Sequence, residues 1–162
     1  MAWKRKAARV VLLDDAGRVY LQHASDPMDP FKDPWLELPG GGIHPGESSA
    51  DAAVRELYEE TGIREVKVGP CVWVRNTQFR FGGWDFDQDE WIHVAWVPAS
   101  AVGEWKPVAL EALEAAAFIG ARFWTIDELE SSSIQTWPSR LREHLPALVD
   151  GQLPDVPIDV GH

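Results

Sequence analysis

At 162 residues, with 45% hydrophobic and 10% aromatic side chains, the chain has enough apolar material for one packed core, which excludes a disordered or fibrous protein. Its 15 Lys and Arg stand against 26 Asp and Glu, a net charge of -11. That balance excludes nonspecific binding to duplex nucleic acid or to an anionic membrane, because both need a basic footprint.

The only cysteine is Cys71, so neither an intramolecular disulfide nor a cysteine-based zinc site can be built, and a reducing compartment is expected. The N-terminus MAWKRKAARVVLLDDAG is basic, but its apolar run is Val10 to Leu13, too short for a signal peptide or a membrane span. A soluble cytoplasmic protein is expected, as one domain over 1–162 with an irregular tail from about residue 150.

In chain order, Ala8 to Leu13, the turn residues Asp14 to Gly17, and Val19 to Gln22 predict a hairpin. Asp26 to Pro34 is a proline- and aspartate-rich loop, and Trp35 to Leu38 a short strand running into Pro39 and the glycines Gly40, Gly41 and Gly42. A helix follows, capped by Ser48 or Ser49 and stopped at Gly62. Ala50, Ala53, Val54 and Leu57 form its apolar stripe, and Glu56, Glu59 and Glu60 share an adjoining face.

Acids at that spacing repel by roughly a few tenths of a kcal/mol per pair, so a cation is expected among them. Val66 to Val74 and Trp91 to Val97 read as strands, with the aromatic stretch Phe79 to Trp84 as a hairpin or loop between them. Pro98 to Pro107 is a loop, and Val108 to Ile119 a short helical segment carrying Glu111 and Glu114. A strand at Arg122 to Thr125, a helical turn from Ile126, and a last helix from Ser139 to Val149 interrupted at Pro146 complete the pattern. Strands mixed with helices favour a mixed sheet with helices on both faces.

The run GGIHPGESSADAAVRELYEETGI, Gly41 to Ile63, resembles the signature of the Nudix hydrolase family, with Gly41, Glu47, Arg55, Glu56, Leu57, Glu59, Glu60, Gly62 and Ile63 at its defining positions. The flanking Leu-Pro-Gly-Gly-Gly and the later Arg-Phe-Trp-Thr-Ile-Asp-Glu-Leu are similar to that family too. The resemblance implies an α+β fold, an α/β/α sandwich with a mixed β-sheet. It also implies Mg2+, with Mn2+ as a substitute, held by Glu56, Glu59, Glu60 and the Gly41 carbonyl. Glu47 and Arg55 would orient those acids.

The chemistry agrees. A diphosphate is shielded by its own negative oxygens, so hydrolysis needs cations that neutralise them and activate a water, and magnesium prefers oxygen ligands. The general base is expected at Glu59 or Glu60, with Glu114 second. Glu90 and Glu114 fall where related enzymes carry an extra carboxylate facing the cleft, and Glu90 is assigned to substrate binding. Of nine tryptophans, Trp35, Trp84 and Trp91 invite a base-stacking role, and Trp35 is nearest the site.

The expected reaction is hydrolysis of a nucleoside diphosphate linked to another moiety. The expected partner is a small-molecule nucleotide, and the aromatic stretch Phe79 to Trp84 would serve a homodimer as readily as a substrate. A non-catalytic nucleotide-binding regulator on the same fold is the alternative, signalled by degraded acidic positions, of which there are none. An isopentenyl diphosphate isomerase would need a placed catalytic cysteine, and Cys71 is a poor candidate. Gln78 to Phe81 lacks the proline or tyrosine that marks some subfamilies. The substrate therefore stays open among oxidised nucleotides, ADP-ribose, nucleotide sugars, dinucleoside polyphosphates and capped RNA.

Overall fold

The first strand, β1 (Trp3–Asp14), runs through the middle of the molecule and is buried on both faces from Ala7 onward. Alternation sends Val11 and Leu13 to one core and Ala8, Val10 and Leu12 to another. The computed structural model describes residues 1–64, 66–101, 105–110 and 112–161.

One edge of β1 pairs in parallel with β6 (Trp84–Val97) along its whole length, from Trp3 with Phe86 to Asp14 with Val97. The other edge is shared. Ala7 to Arg9 pair with β4 (Gly40–Gly42), and Leu13 pairs with Val19 of β2 (Arg18–Ala24). Between those contacts β1 and β2 splay apart, and a cleft opens at the fork.

β2 pairs on its other side with β7 (Phe118–Thr125), and its far end pairs with β3 (Trp35–Glu37), which in turn runs parallel to β8 (Gln135–Trp137). β5 (Lys67–Phe81) is antiparallel to β6 and parallel to β9 (Ile158–Asp159). The sheet is therefore mixed. On one face lies α1 (Ser49–Thr61), packing Ala52, Ala53 and Leu57 against β1. On the other lie α3 (Ile126–Ser131) and α4 (Leu141–Val149), through Leu129, Leu141, Leu145 and Leu148. The fold is α+β, with helices on both faces of a mixed sheet, as the sequence implies. Among the described residues no helix is long and apolar enough to cross a membrane.

Several boundaries differ from expectation. Ala50 and Val54 are exposed, and Ala52 takes their place in the buried stripe, because α1 meets the sheet about one position round from the predicted face. Of the two readings of Phe79 to Trp84, hairpin or loop, the hairpin is the one found, and both strands run into a two-residue turn at Gly82 (φ 60) and Gly83 (φ 85). Positive φ at both positions is what a type I′ hairpin requires. Pro146 does not interrupt α4, which continues to Val149 because Leu145 and Leu148 anchor it in the core.

Residues 150–157 form no regular element, and the sheet then takes up two residues of the tail. β9 adds to the β5 edge, the Val160 amide donates to the Val74 carbonyl at 2.9 Å, and the Val160 side chain is buried. Part of the Pro98 to Pro107 loop and Glu111 lie outside the described residues. The helix expected there is α2 (Ala112–Ala117).

Candidate active site

Ser48 caps α1 by accepting from the Asp51 amide at 3.1 Å, and Gly62, at φ 77, ends it with its amide on the Tyr58 carbonyl. A second clamp holds its start. His93 Nδ1 donates to the Gly69 carbonyl at 3.0 Å, and its Nε2 is hydrogen-bonded to the Ser49 hydroxyl at 2.8 Å. At the other end the Glu59 carbonyl accepts from the amides of Val108 and Ala109, at 2.8 and 3.0 Å. That tether brings the segment leading to α2 over the acidic face.

Arg55 lies among the acids. Its guanidinium donates to both Glu47 oxygens at 2.9 Å, to Glu56 Oε1 at 2.9 Å, to Glu59 Oε2 at 3.2 Å and to the Gly42 carbonyl at 2.8 Å. These bonds hold the Glu47 carboxyl far down, at about 2. One guanidinium thus ties Glu47, Glu56 and Glu59 together.

Glu60 is only 4% exposed, and its Oε2 accepts from the Gly40 amide at 2.9 Å and from Gln22 Nε2 at 3.1 Å. Burial pushes its carboxyl well above the usual range, and the nearby acids Glu56 and Glu114 add to that against Arg9. Burial raises Glu56 as well, with Arg55 opposing. Two buried carboxyls pushed up at one spot favour either protons or a cation.

The donor set fits a hard divalent ion. Among the described residues, Glu56, Glu59 and Glu60 each bond the protein through one carboxylate oxygen. A Cβ at Gly41 would lie 2.7 Å from the Glu56 carboxylate, so only glycine leaves this cradle open. Among the described residues no three such side chains converge on one point, because the Arg55 guanidinium stands between Glu56 and Glu59. Magnesium tolerates this, since it keeps several waters and takes few carboxylates alongside substrate phosphates.

From the acids the cleft continues past Arg5, Leu110 and Glu114 into a deeper pocket walled by Trp35, Phe79, Phe81, Phe118 and Trp137. Glu114 lies at the junction. Glu90 departs from expectation: it is 1% exposed and lies beneath the cleft rather than in its wall, bonded bidentately to Arg75 (2.9 to 3.2 Å) and 3.5 Å from Arg9. Burial raises its carboxyl, but Arg9 and Arg75 outweigh burial and hold it below the usual range. It is the counter-ion that lets two arginines sit in the floor.

Trp35 lines the pocket as a fixed wall. Its Nε1 donates to Glu37 at 2.9 Å, its ring meets Phe81 edge-on at 6.2 Å, and Lys32 Nζ covers it at 4.9 Å. Trp84 packs against Trp3 at the hairpin tip, and neither Trp84 nor Trp91 is among the pocket-lining residues. Cys71 lines neither part of the cleft, and burial pushes its thiol up, the direction of an unreactive cysteine.

Sequence reasoning missed Arg5, Arg9, Gln22, Arg75, Thr77 and Gln88, and named Phe79 and Phe81 only within the aromatic stretch Phe79 to Trp84. A period-2 signal was present. Arg75, Thr77, Phe79 and Phe81 alternate along β5, as Arg5 and Arg9 do along β1, and each set faces the cleft.

Known proteins can now be set beside this geometry. A family model described as "NUDIX domain" matches residues 3–148. An RNA pyrophosphohydrolase of Dinoroseobacter shibae is 47% identical over 64 residues, 40% of this chain and 38% of its own length. One from Bartonella clarridgeiae is 37% identical over 97 residues, 56% of this chain and 50% of its own length. The chain thus matches half or less of these curated relatives.

Among solved structures, the MutT protein from Methanosarcina mazei Go1 has a TM-score of 0.62 at 18% identity, over 93% of this chain and 96% of that one. An ADP-ribose pyrophosphatase from Streptococcus suis has 0.59 at 15% identity, over 96% and 97%. At such identities the likeness is one of fold. With its whole acidic signature gathered at one cleft and the family match running over most of its length, the chain belongs to the Nudix family.

Proposed function

We propose that the protein is a divalent-cation-dependent pyrophosphohydrolase, cleaving a phosphoric anhydride bond in a nucleoside diphosphate linked to another moiety, by water attack at phosphorus. The observation that carries this reading is the junction at Glu114: Glu56 and Glu59 of α1 line one end of a cleft, and Glu60 lines the aromatic pocket into which it leads. Glu56, Glu59, Glu60 and the Gly41 carbonyl would hold Mg2+, or Mn2+ in its place. When bound, the metal supplies charge neutralisation and a more acidic water.

The chain's own residues do the rest. Arg55 keeps the carboxylates oriented, Arg5 lines the path between the acids and the aromatic pocket, and Glu59, the more exposed of the helix acids, accepts the proton of the attacking water, with Glu60 or Glu114 as the alternative acceptor. The RNA pyrophosphohydrolases and the ADP-ribose pyrophosphatase named above are described by the same type of bond, which is as far as they support the reading.

The test is a nucleotide panel with Mg2+ and mass-spectrometric identification of products, run on the unmodified protein and on Glu59→Gln and Glu60→Gln. Cleavage at an anhydride bond, reduced about 10²-fold or more in Glu59→Gln, is expected. Undiminished turnover in both variants removes the site assignment. No product from any nucleotide favours a binding protein instead.

A further inference from the structure

Among the described residues, two buried side-chain polar atoms lack a hydrogen-bond partner, Gln88 Oε1 and His144 Nε2. His144 lies on α4, beside Trp73 in the opposite core. Gln88 lines the aromatic pocket and is 1% exposed. It sits in the middle of the sheet, opposite Arg5 on β1 and Thr77 on β5, both of which line the same pocket.

The orientation of the Gln88 amide is set from below. Its side chain faces the Glu90 carboxylate and helps hold that carboxyl down, and the carboxylate is itself held by Arg75 and Arg9. A carboxylate only accepts, so the amide nitrogen must be the end that donates to it, and the oxygen is turned away. An acceptor so fixed, buried and unpaired is unfavourable in the empty pocket, and a ligand donor would satisfy it. An anionic ligand group has no proton to give this oxygen, and a cation would face the guanidinium groups of Arg5, Arg9 and Arg75 in the same pocket. A neutral N–H on a flat ring suits both the oxygen and the walls of Phe79, Phe81 and Trp35.

We infer that Gln88 is the base-reading residue of this protein: its Oε1 accepts a hydrogen bond from an N–H of the substrate's nucleobase, held in the pocket of Phe79, Phe81 and Trp35. The inference rests on the nucleotide reading of the cleft and adds the group that selects among bases. The Arg9, Glu90 and Arg75 cluster is then its support, which accounts for ionised side chains buried beneath a binding pocket.

The experiment is calorimetric binding of AMP, GMP, CMP and UMP to the full chain without metal, each beside an analogue lacking a base N–H. Those analogues are the monophosphates of purine riboside, inosine and N1-methylguanosine, 2-pyrimidinone riboside and N3-methyluridine. The tightest nucleotide should lose about tenfold or more in Kd as its analogue, and by a similar factor in Gln88→Met, without the two losses adding. Binding of inorganic pyrophosphate with Mg2+ should be unchanged in Gln88→Met. Equal binding of nucleotide and analogue, a loss that follows removal of a ribose hydroxyl instead, or no nucleotide binding at all overturns the inference. Should Gln88→Met not fold, the analogue comparison on the unmodified protein decides alone. A protein that reads bases in this way yet hydrolyses nothing keeps Gln88 and loses the proposed reaction. One that hydrolyses equally well with and without Gln88 does the reverse.

Discussion

One guanidinium, that of Arg55, is bonded at once to Glu47, Glu56, Glu59 and the Gly42 carbonyl, and so sets the carboxylate geometry before a cation arrives. A lysine keeps the charge but not the planar fork. Arg55→Lys is expected to weaken Mg2+ dependence or turnover by roughly 10- to 100-fold, read from kcat against metal concentration, with little change in melting temperature. Glu90 is the opposite case, a residue whose loss should unfold before it inactivates. Glu90→Gln leaves Arg9 and Arg75 buried without their counter-ion and should cost about 3 kcal/mol or more by urea denaturation.

The pH dependence follows from the same pairings. Glu90 and Glu47 are both held below the unfolded carboxyl value of about 4.5, Glu47 at about 2. A depressed carboxyl contributes stability that is full above the unfolded value and lost as pH falls through the folded one. The urea midpoint should therefore drop as pH is lowered from about 4.5 toward about 2, and drop less steeply in Glu90→Gln. A variant as acid-sensitive as the parent would show that this pair is not the source.

At the scale of elements, α1 and the glycine strand act as one unit, because Gly41 must pass beneath the Glu56 carboxylate. Gly41→Ala is expected to displace Glu56 and to lower metal affinity measured by calorimetry, although alanine is tolerated in a strand elsewhere. Gly62→Ala tests the end of the helix and should cost about 1 kcal/mol through its positive φ, without changing metal affinity. The ends of α1 were legible in the sequence because caps are local: Ser48 and Gly62 act on backbone groups within a turn of themselves. The β5–β6 hairpin was legible only in part. Its outer half carries acids and aromatics together, which reads as loop, and the alternation toward the cleft is visible only once the strands are known to continue to Gly82.

Across the whole molecule, the last residues close the sheet over the first core, with β9 on the β5 edge and Val160 buried beside Trp73 and Leu145. Val160→Ala should cost about 1–3 kcal/mol by thermal or chemical denaturation. Chelation of divalent cations should abolish turnover while leaving the melting curve in place, because Arg55 and the Gly40 amide already hold the carboxylates without metal.

What the sequence by itself determined is the acidic helix, its caps, the glycine approach and the family they mark, since all of these lie within one continuous stretch of chain from Gly41 to Ile63. The second half of the site was decided only by tertiary structure. Arg9, Gln22, Arg75 and Gln88 lie on four strands, β1, β2, β5 and β6, and the fork between β1 and β2 brings them under one opening. A buried Glu90 between two arginines, and an unpaired oxygen on Gln88, are properties of side chains that meet across a sheet. Local spacing records which residues a helix places on one face, but which strands lie side by side depends on long-range pairing.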